Sequence, residues 1–203
     1  MAYVKVAERE EQIVVAAISV LSDVGVAGTT LRAVASEAGI PLGTLHYVFP
    51  SKDQMLRAVI GRVIRDVLDT VRVGLELDRG LEHAIRHGVS RFWDTLVAHE
   101  IGLQIMQYEL ALYSVRSEGP DGLARAQYDE YTALVTEFCA QAAASAREQC
   151  AIGFDTLGRM ALAVLDGLIV QYIANPDADR ARSDLDHAID MIVAYANPRP
   201  TAD

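Results

Sequence analysis

Cysteine is scarce in this chain of 203 residues. Cys139 and Cys150 are the only two, both on stretches of helical patterning, so no disulfide framework is expected. No uninterrupted apolar run reaches the length of a membrane span, and the start, MAYVKVAEREE, lacks the apolar segment of a signal peptide. A soluble, cytoplasmic protein with no membrane partner is expected. The motifs of common catalysts are also missing: there is no Gly-rich phosphate loop, HExxH, CxxC or Ser-His-Asp arrangement. Asp129 and Glu130 are adjacent, point different ways on a helix and cannot act as an acid/base pair. His83 and His87 have a spacing that can hold zinc, but they share the polar side of the Leu81/Ile85/Val89 stripe with Ser90 and Asp94, which reads as a solvated face. No enzyme activity, metal or cofactor is expected. No stretch alternates convincingly as a strand.

What is present is helical periodicity, punctuated by Gly and Pro. Residues 8–24 place Ile13, Ala16, Ala17, Val20, Leu21 and Val24 on one stripe, which Gly25 stops. A long helix from 52 to about 73 carries Leu56, Val59, Ile60, Val63, Ile64, Val67, Leu68 and Val71 as a broad apolar band, with Arg57, Arg62, Arg65 and Arg72 largely off it. Further helices are predicted over 80–97, 101–113, up to about 147 after the turn Ser117-Glu118-Gly119-Pro120, 154–173 and 183–196. The tail NPRPTAD looks disordered. The fold class is all-α.

The most informative stretch is 29–52, TTLRAVASEAGIPLGTLHYVFPSK. Thr29 and Thr30 can accept the orphan amides that open a helix, and Leu31, Val34, Ala35 and Ala38 give it an apolar face, with Arg32, Ser36 and Glu37 outside. Gly39 ends that helix at no steric cost, and Pro41 suits the entrance of the next. In the second helix Leu45 and Phe49 face inward, leaving Leu42, Gly43, Thr44, His46 and Tyr47 outside. Two small residues beside an imidazole and a phenol gain little from water. In a major groove Gly43 and Thr44 allow close approach, Thr44 can bond base edges, and His46 and Tyr47 can reach phosphates. Ser51-Lys52-Asp53-Gln54 forms a capping box. Lys52 there opposes the helix dipole, and a phosphate partner would explain it.

The ordered set Thr29-Thr30, Ala35, Ala38-Gly39-Ile40, Gly43-Thr44-Leu45, Tyr47, Phe49 and Lys52 resembles the helix-turn-helix domain of TetR-family transcriptional regulators, over about residues 8–56. Pro41, Leu42 and His46 depart from the family's usual residues. The resemblance implies a DNA-binding surface of Thr30, Arg32, Pro41, Leu42, Gly43, Thr44, His46, Tyr47 and Lys52. It also implies a small-molecule effector held in the helices that follow, whose binding releases DNA.

Charge is consistent with that division. Residues 1–65 carry seven Lys/Arg against six Asp/Glu, and residues 66–203 eleven against twenty-two, so the net charge of −10 resides in the second part. The modest balance at the start predicts few neutralised phosphates per subunit. Residues 1–51 are expected to form the DNA-binding domain, joined through the long helix to an effector-binding and dimerising bundle over 52–197, with 198–203 as tail.

Aromatic and apolar groups on the middle helices, Phe92, Trp93, Met106, Tyr108, Glu109, Tyr113, Tyr128, Tyr131 and Phe138, are the candidate effector lining, with His99, Gln104 and Gln107 near them; ordinary core is the competing reading. Glu109, set among apolar neighbours, needs a cation or hydrogen-bond donors: a cationic ligand is one answer, Arg116 or Arg91 the commoner kind. The helix over 154–173, apolar almost all round, must be covered on every side. A two-fold four-helix interface with 183–196 would do this through Phe154, Leu157, Leu165, Leu168, Ile169, Tyr172, Ile189 and Ile192, the alternative being a monomeric core. A homodimer would present two recognition helices to an operator in double-stranded DNA. The expectation is therefore a DNA-binding repressor released by an effector. The alternative is a helical small-molecule-binding protein or enzyme retaining a non-functional helix-turn-helix.

Overall fold

Helical periodicity becomes helix along almost the whole chain. The computed structural model describes residues 2–98, 101–118 and 122–201, and among these runs the order α1 (Ala2–Gly28), α2 (Leu31–Glu37), α3 (Leu42–Val48), α4 (Lys52–Arg72), α5 (Leu81–Phe92), α6 (Ile101–Glu118), α7 (Leu123–Ser145), α8 (Phe154–Ala174) and α9 (Ala178–Ala196). His99, the turn residues Gly119 and Pro120, and Ala202 and Asp203 lie outside the described residues.

Two compact units are present, one of Met1–Asp66 with Gly102–Ala126, the other of Val67–Ile101 with Gln127–Asp203. This division by compactness runs elsewhere than the expected one at residue 51, because α6 belongs with the first three helices. Helices α1, α2 and α3 pack on one another. Their shared core contains Ile13, Ala17, Leu21, Val34 and Leu45, all fully buried, together with Phe49. The amphipathic stripes of short helices suffice here because three of them cover one another. Met55, Leu56 and Val59 of α4 are buried too, as are Met106 and Leu110 of α6.

In the second unit α8 packs on α9 and α9 on α5. Leu81, Ile85, Cys139, Ala143, Leu157, Ala161, Ile192 and Ala196 form a single buried cluster. Burial pushes the Cys139 thiol up to about 12, which leaves it an unreactive core group.

The structure departs from the sequence expectations at identifiable places. Gly25 does stop the first helix, with non-helical φ 70° and ψ 176°, but a further short helical turn follows it, so that α1 as a run ends at Gly28. The helix expected over 80–97 changes at Trp93 into a π-helical turn, Trp93–Val97, which side-chain periodicity alone does not signal. Helix α9 begins at Ala178, with Asp177 accepting the Arg180 amide at 3.0 Å; only small Ala181 marks its apolar side before Leu185. The tail is not free. Arg199–Pro200 pairs antiparallel with Glu148–Gln149 as a two-residue strand, and Thr201 donates its amide to the Arg147 carbonyl at 2.8 Å. Two helical stretches, Ala7–Gly28 and Phe154–Ala174, are long and apolar enough by length and composition to cross a bilayer, a test that the core helices of soluble proteins also pass.

Candidate DNA and effector sites

The exposed face of α3 is built from its ends inward. Thr30 accepts the Ala33 amide at 3.1 Å and so opens α2, while the Thr29 hydroxyl, buried, donates to the Gly25 carbonyl at 2.7 Å. Gly39 adopts φ +64°, the left-handed conformation that lets the chain leave α2 and enter α3 within three residues. Pro41 caps α3 by its fixed φ of −61° and without a side-chain bond. Leu45 and Phe49 anchor the helix, so its orientation relative to α2 is fixed by apolar burial.

Pro41, Gly43, His46 and Tyr47 are exposed, Leu42 and Thr44 half-buried at the rim, and Tyr47 is 79% exposed. Arg32 of α2 is exposed as well. A Cβ built at Gly43 meets nothing within 4 Å and its φ is ordinary, so neither packing nor backbone conformation in this chain requires glycine there. A surface that must approach closely from outside does require it.

Lys52, for which a phosphate partner was one explanation, also has a partner inside the chain. Its ammonium donates to the Val26 carbonyl at 2.6 Å. The capping box is present in one half, the Gln54 amide donating to the Ser51 hydroxyl at 3.2 Å.

The residues expected to line an effector site are divided between the two units. In the first, Met106 is fully buried and its sulfur accepts the Ser22 hydroxyl at 3.7 Å. Tyr113 donates to Asp53. Tyr108 is half-buried. Glu109, for which a cation or hydrogen-bond donors were expected, accepts the Val26 amide at 2.7 Å, so a backbone donor answers the carboxylate. Arg91 donates to the Val73 carbonyl at 2.8 Å.

In the second unit Trp93 is buried and its ring lies 5.5 Å from that of Tyr172, tilted by 56°. Phe92 and Phe138 are half-buried. On α7, Tyr128 hydrogen-bonds Asp166 of α8, and Tyr131 lies close enough to feel the same carboxylate. Burial, followed by the Asp166 charge and hydrogen bond, pushes the Tyr128 phenol well above its usual range; burial, opposed by the Gln127 hydrogen bond, pushes Tyr131 up to about 12. Asp166 was missed in the sequence, where it read only as a charge interrupting an apolar helix. Its half-buried position beside two phenols was the available signal.

Of the expected interface residues, Leu157, Leu165, Ile169 and Tyr172 of α8, and Ile189 and Ile192 of α9, are buried within the single chain, and Phe154 and Leu168 are half-buried. The opposite faces are open: Met160, Ala163, Gly167 and Val170 on α8, with Val170 50% exposed, and Met191 and Tyr195 on α9, with Met191 63% exposed. A helix apolar all round has two faces to cover, and burial in the chain covers one.

His83 and His87 stack at 5.6 Å, and His83 meets Glu76 at 2.8 Å. Among the described residues no group of three or more His, Cys, Asp or Glu is placed to hold a metal ion.

Comparison with known proteins accords with this geometry. Residues 13–59 match the family described as bacterial regulatory proteins, tetR family, and residues 82–194 match the tetracyclin repressor-like C-terminal domain. The chain is similar to the HTH-type nicotine-responsive transcriptional repressor HdnoR of Paenarthrobacter nicotinovorans, with 27% identity over 186 residues, 90% of this chain and 93% of that protein. It is also similar to the HTH-type transcriptional regulator BetI of Burkholderia cenocepacia, with 29% identity over 195 residues, 92% and 94% of the two chains. Among solved structures, a transcriptional regulator from Rhodococcus sp. Rha1 shares the fold with a TM-score of 0.75 at 20% identity, covering 94% of this chain and 99% of that one. With its helix-turn-helix and most of the remaining length both matched, the chain belongs to the TetR family of bacterial regulatory proteins, DNA-binding transcriptional repressors that are typically ligand-responsive.

Proposed function

We propose that this chain works in the cytoplasm as a homodimeric repressor, reading an operator through α3 and releasing it when a small organic amine binds near Tyr128, Tyr131 and Asp166. It acts by binding, with no catalytic role. The observation that carries the DNA reading is the outward face of α3, where Gly43 has open space around it and Tyr47 is 79% exposed. Thr44 is assigned to base edges, Tyr47, His46 and Lys52 to phosphates, and Arg32 and Thr30 of α2 to the adjoining backbone.

The amine reading rests on two supports. One relative is a nicotine-responsive repressor, and nicotine is an amine. In this chain a half-buried carboxylate and two phenols stand together in the second unit, a combination that attracts a cation by charge and by ring quadrupole. Phe92, Trp93 and Phe138 are candidate apolar walls of the same unit. Met106, Tyr108, Glu109 and Tyr113 are retained as candidates of the first unit, through which effector binding would be felt. By population shift, the amine must bind the DNA-incompetent state more tightly, and DNA must weaken amine binding by the same factor.

Dimerisation is assigned to the open apolar faces of α8 and α9, since a stripe of Met160, Gly167, Val170 and Met191 facing water is covered most economically by its own two-fold copy. Val170→Asp would place two like charges in that interface, each costing several kcal/mol to bury. Sedimentation should then show monomer where the wild type shows dimer.

The test of the DNA reading is a gel shift with duplex from the promoter region of the protein's own gene. Specific retardation is expected, reduced for all sequences by Tyr47→Ala and Lys52→Ala and altered in sequence preference by Thr44→Ala. No specific retardation of the wild type at low salt would remove the reading. Nicotine is the first amine to titrate against the shifted complex, and Asp166→Asn should blunt any release it causes.

A further inference from the structure

One residue in the first unit, Val26, has both its backbone N–H and its backbone C=O held by charged side chains that come from different helices. Glu109 of α6 accepts the Val26 amide at 2.7 Å, and Lys52, the first residue of α4, donates to the carbonyl of the same residue at 2.6 Å. The glycine before it makes the arrangement possible. Gly25 has φ +70°, and a Cβ there would lie 2.7 Å from a Glu109 carboxylate oxygen, so any other residue would both strain the backbone and displace the carboxylate. The neighbouring Thr29 hydroxyl, which donates to the Gly25 carbonyl at 2.7 Å, holds the other end of the break.

We infer that Glu109 is a positioning residue for DNA binding, acting through the backbone of Val26 on the ammonium of Lys52. This rests on the assignment of Lys52 to a phosphate. The Val26 N–H and C=O belong to successive planar peptide groups that share one Cα, so a carboxylate that fixes the first also fixes where the second presents its carbonyl to Lys52. An ammonium has three N–H groups; with one fixed on Val26, the other two project in set directions. Lys52 is thereby changed from a flexible side chain, which must lose rotamer freedom to meet a phosphate, into one already ordered at the start of α4. The relay also joins α6, which carries the candidate effector residues Met106, Tyr108 and Tyr113, to a DNA contact through two hydrogen bonds and the backbone of one residue.

The experiment is a double-mutant cycle on the full-length protein, with binding to a random-sequence DNA duplex followed by fluorescence anisotropy over a series of salt concentrations. A random sequence suffices because a phosphate contact carries no base information. Lys52→Ala should weaken binding about tenfold, the scale of one charge-assisted hydrogen bond, and lower the salt slope by about one. Glu109→Ala should weaken binding about threefold and lower the slope in the same sense, and in the Lys52→Ala background it should have no further effect. An equal effect of Glu109→Ala in both backgrounds would overturn the relay and leave Glu109 a purely structural cap. So would unchanged affinity in Glu109→Ala while Lys52→Ala weakens binding. Should Lys52→Ala itself change neither affinity nor slope, the phosphate assignment of Lys52 falls, and the relay with it. If Glu109→Ala fails to fold, Glu109→Gln is read by the same cycle, since its amide oxygen still accepts from Val26 but supplies no charge.

Discussion

Each compact unit contains the same local device. A glycine of positive φ breaks the chain, and a glutamate from far along the sequence takes the amide that follows: Glu109 that of Val26 after Gly25, at 2.7 Å, and Glu148 that of Leu81 after Gly80, also at 2.7 Å. Both answer the same problem, a helical turn whose first N–H groups have no partner within the helix. The difference lies in what the neighbouring carbonyl receives. At Gly80 the chain simply enters α5, the Ala84 amide reaching the Gly80 carbonyl at 3.0 Å. At Val26 the carbonyl of the capped residue itself receives Lys52, a residue at the edge of the DNA-reading motif. A carboxylate cap alone stabilises a helix. With a cation on the carbonyl of the same residue, it can also connect one helix to another.

The largest effects in this comparison should come from the glycines. Gly25→Ala forces a left-handed alanine and displaces the cap, and should cost about 2–3 kcal/mol in thermal unfolding. Gly80→Ala leaves slightly more room, its Cβ lying 3.1 Å from Glu148 against 2.7 Å at Gly25, and should cost about 1–2 kcal/mol. A larger loss at Gly80 would break the parallel. Glu148→Ala should cost about 1 kcal/mol as a lost cap and leave DNA affinity unchanged in anisotropy measurements; if it weakens DNA binding as Glu109→Ala does, the distinction between cap and connector fails.

Smaller effects concern the two faces that do not serve the fold. Gly43→Ala lies in open space with ordinary φ, so it should stabilise the chain by about 0.5–1 kcal/mol while weakening operator binding. A gain in stability with no loss of binding would mean that α3 does not approach DNA closely there. In the second unit, ultraviolet titration should find the Tyr131 phenolate forming near pH 12. Its pKa is raised in the folded state, so its contribution to stability is complete below the unfolded value of about 10 and is lost as pH rises through the folded one. Asp166→Asn should bring the Tyr128 titration down, though not to the free value, because burial is the larger cause and the charge the smaller. An unchanged Tyr128 titration would show that Asp166 does not act on it.

How much was legible depended on whether a feature was local. Thr30 as cap, Gly39 as left-handed terminator and Leu45 with Phe49 as anchors could be read because each depends on residues a few positions away. The exposed face of α3 followed by subtraction. Glu109 was read correctly as a carboxylate needing a partner, but that partner, the amide of Val26, is 83 positions distant and has no side-chain signature. Lys52 likewise meets a backbone carbonyl, that of Val26, 26 positions away and without a side-chain signature. On α8, periodicity identified the apolar residues without saying which half of them the chain itself would cover. Leu157, Leu165 and Ile169 were therefore expected at an interface, and the face left open by the chain is that of Met160, Gly167 and Val170.

The sequence by itself determined the succession of helices, the two-helix motif with its outward residues, and the membership in a regulator family that those residues imply. Spacing at 3.6 residues per turn and the backbone demands of Gly, Thr and Pro act over one or two turns, and a single chain displays them directly. Tertiary structure alone decided which face of α8 stays open, that the tail at Arg199–Pro200 pairs with Glu148–Gln149, and that the backbone of Val26 is held by Glu109 and Lys52. These outcomes depend on hydrogen bonds and burial between residues tens of positions apart, where any carboxylate or ammonium can answer any orphaned backbone group and only the packing of the helices selects which one does.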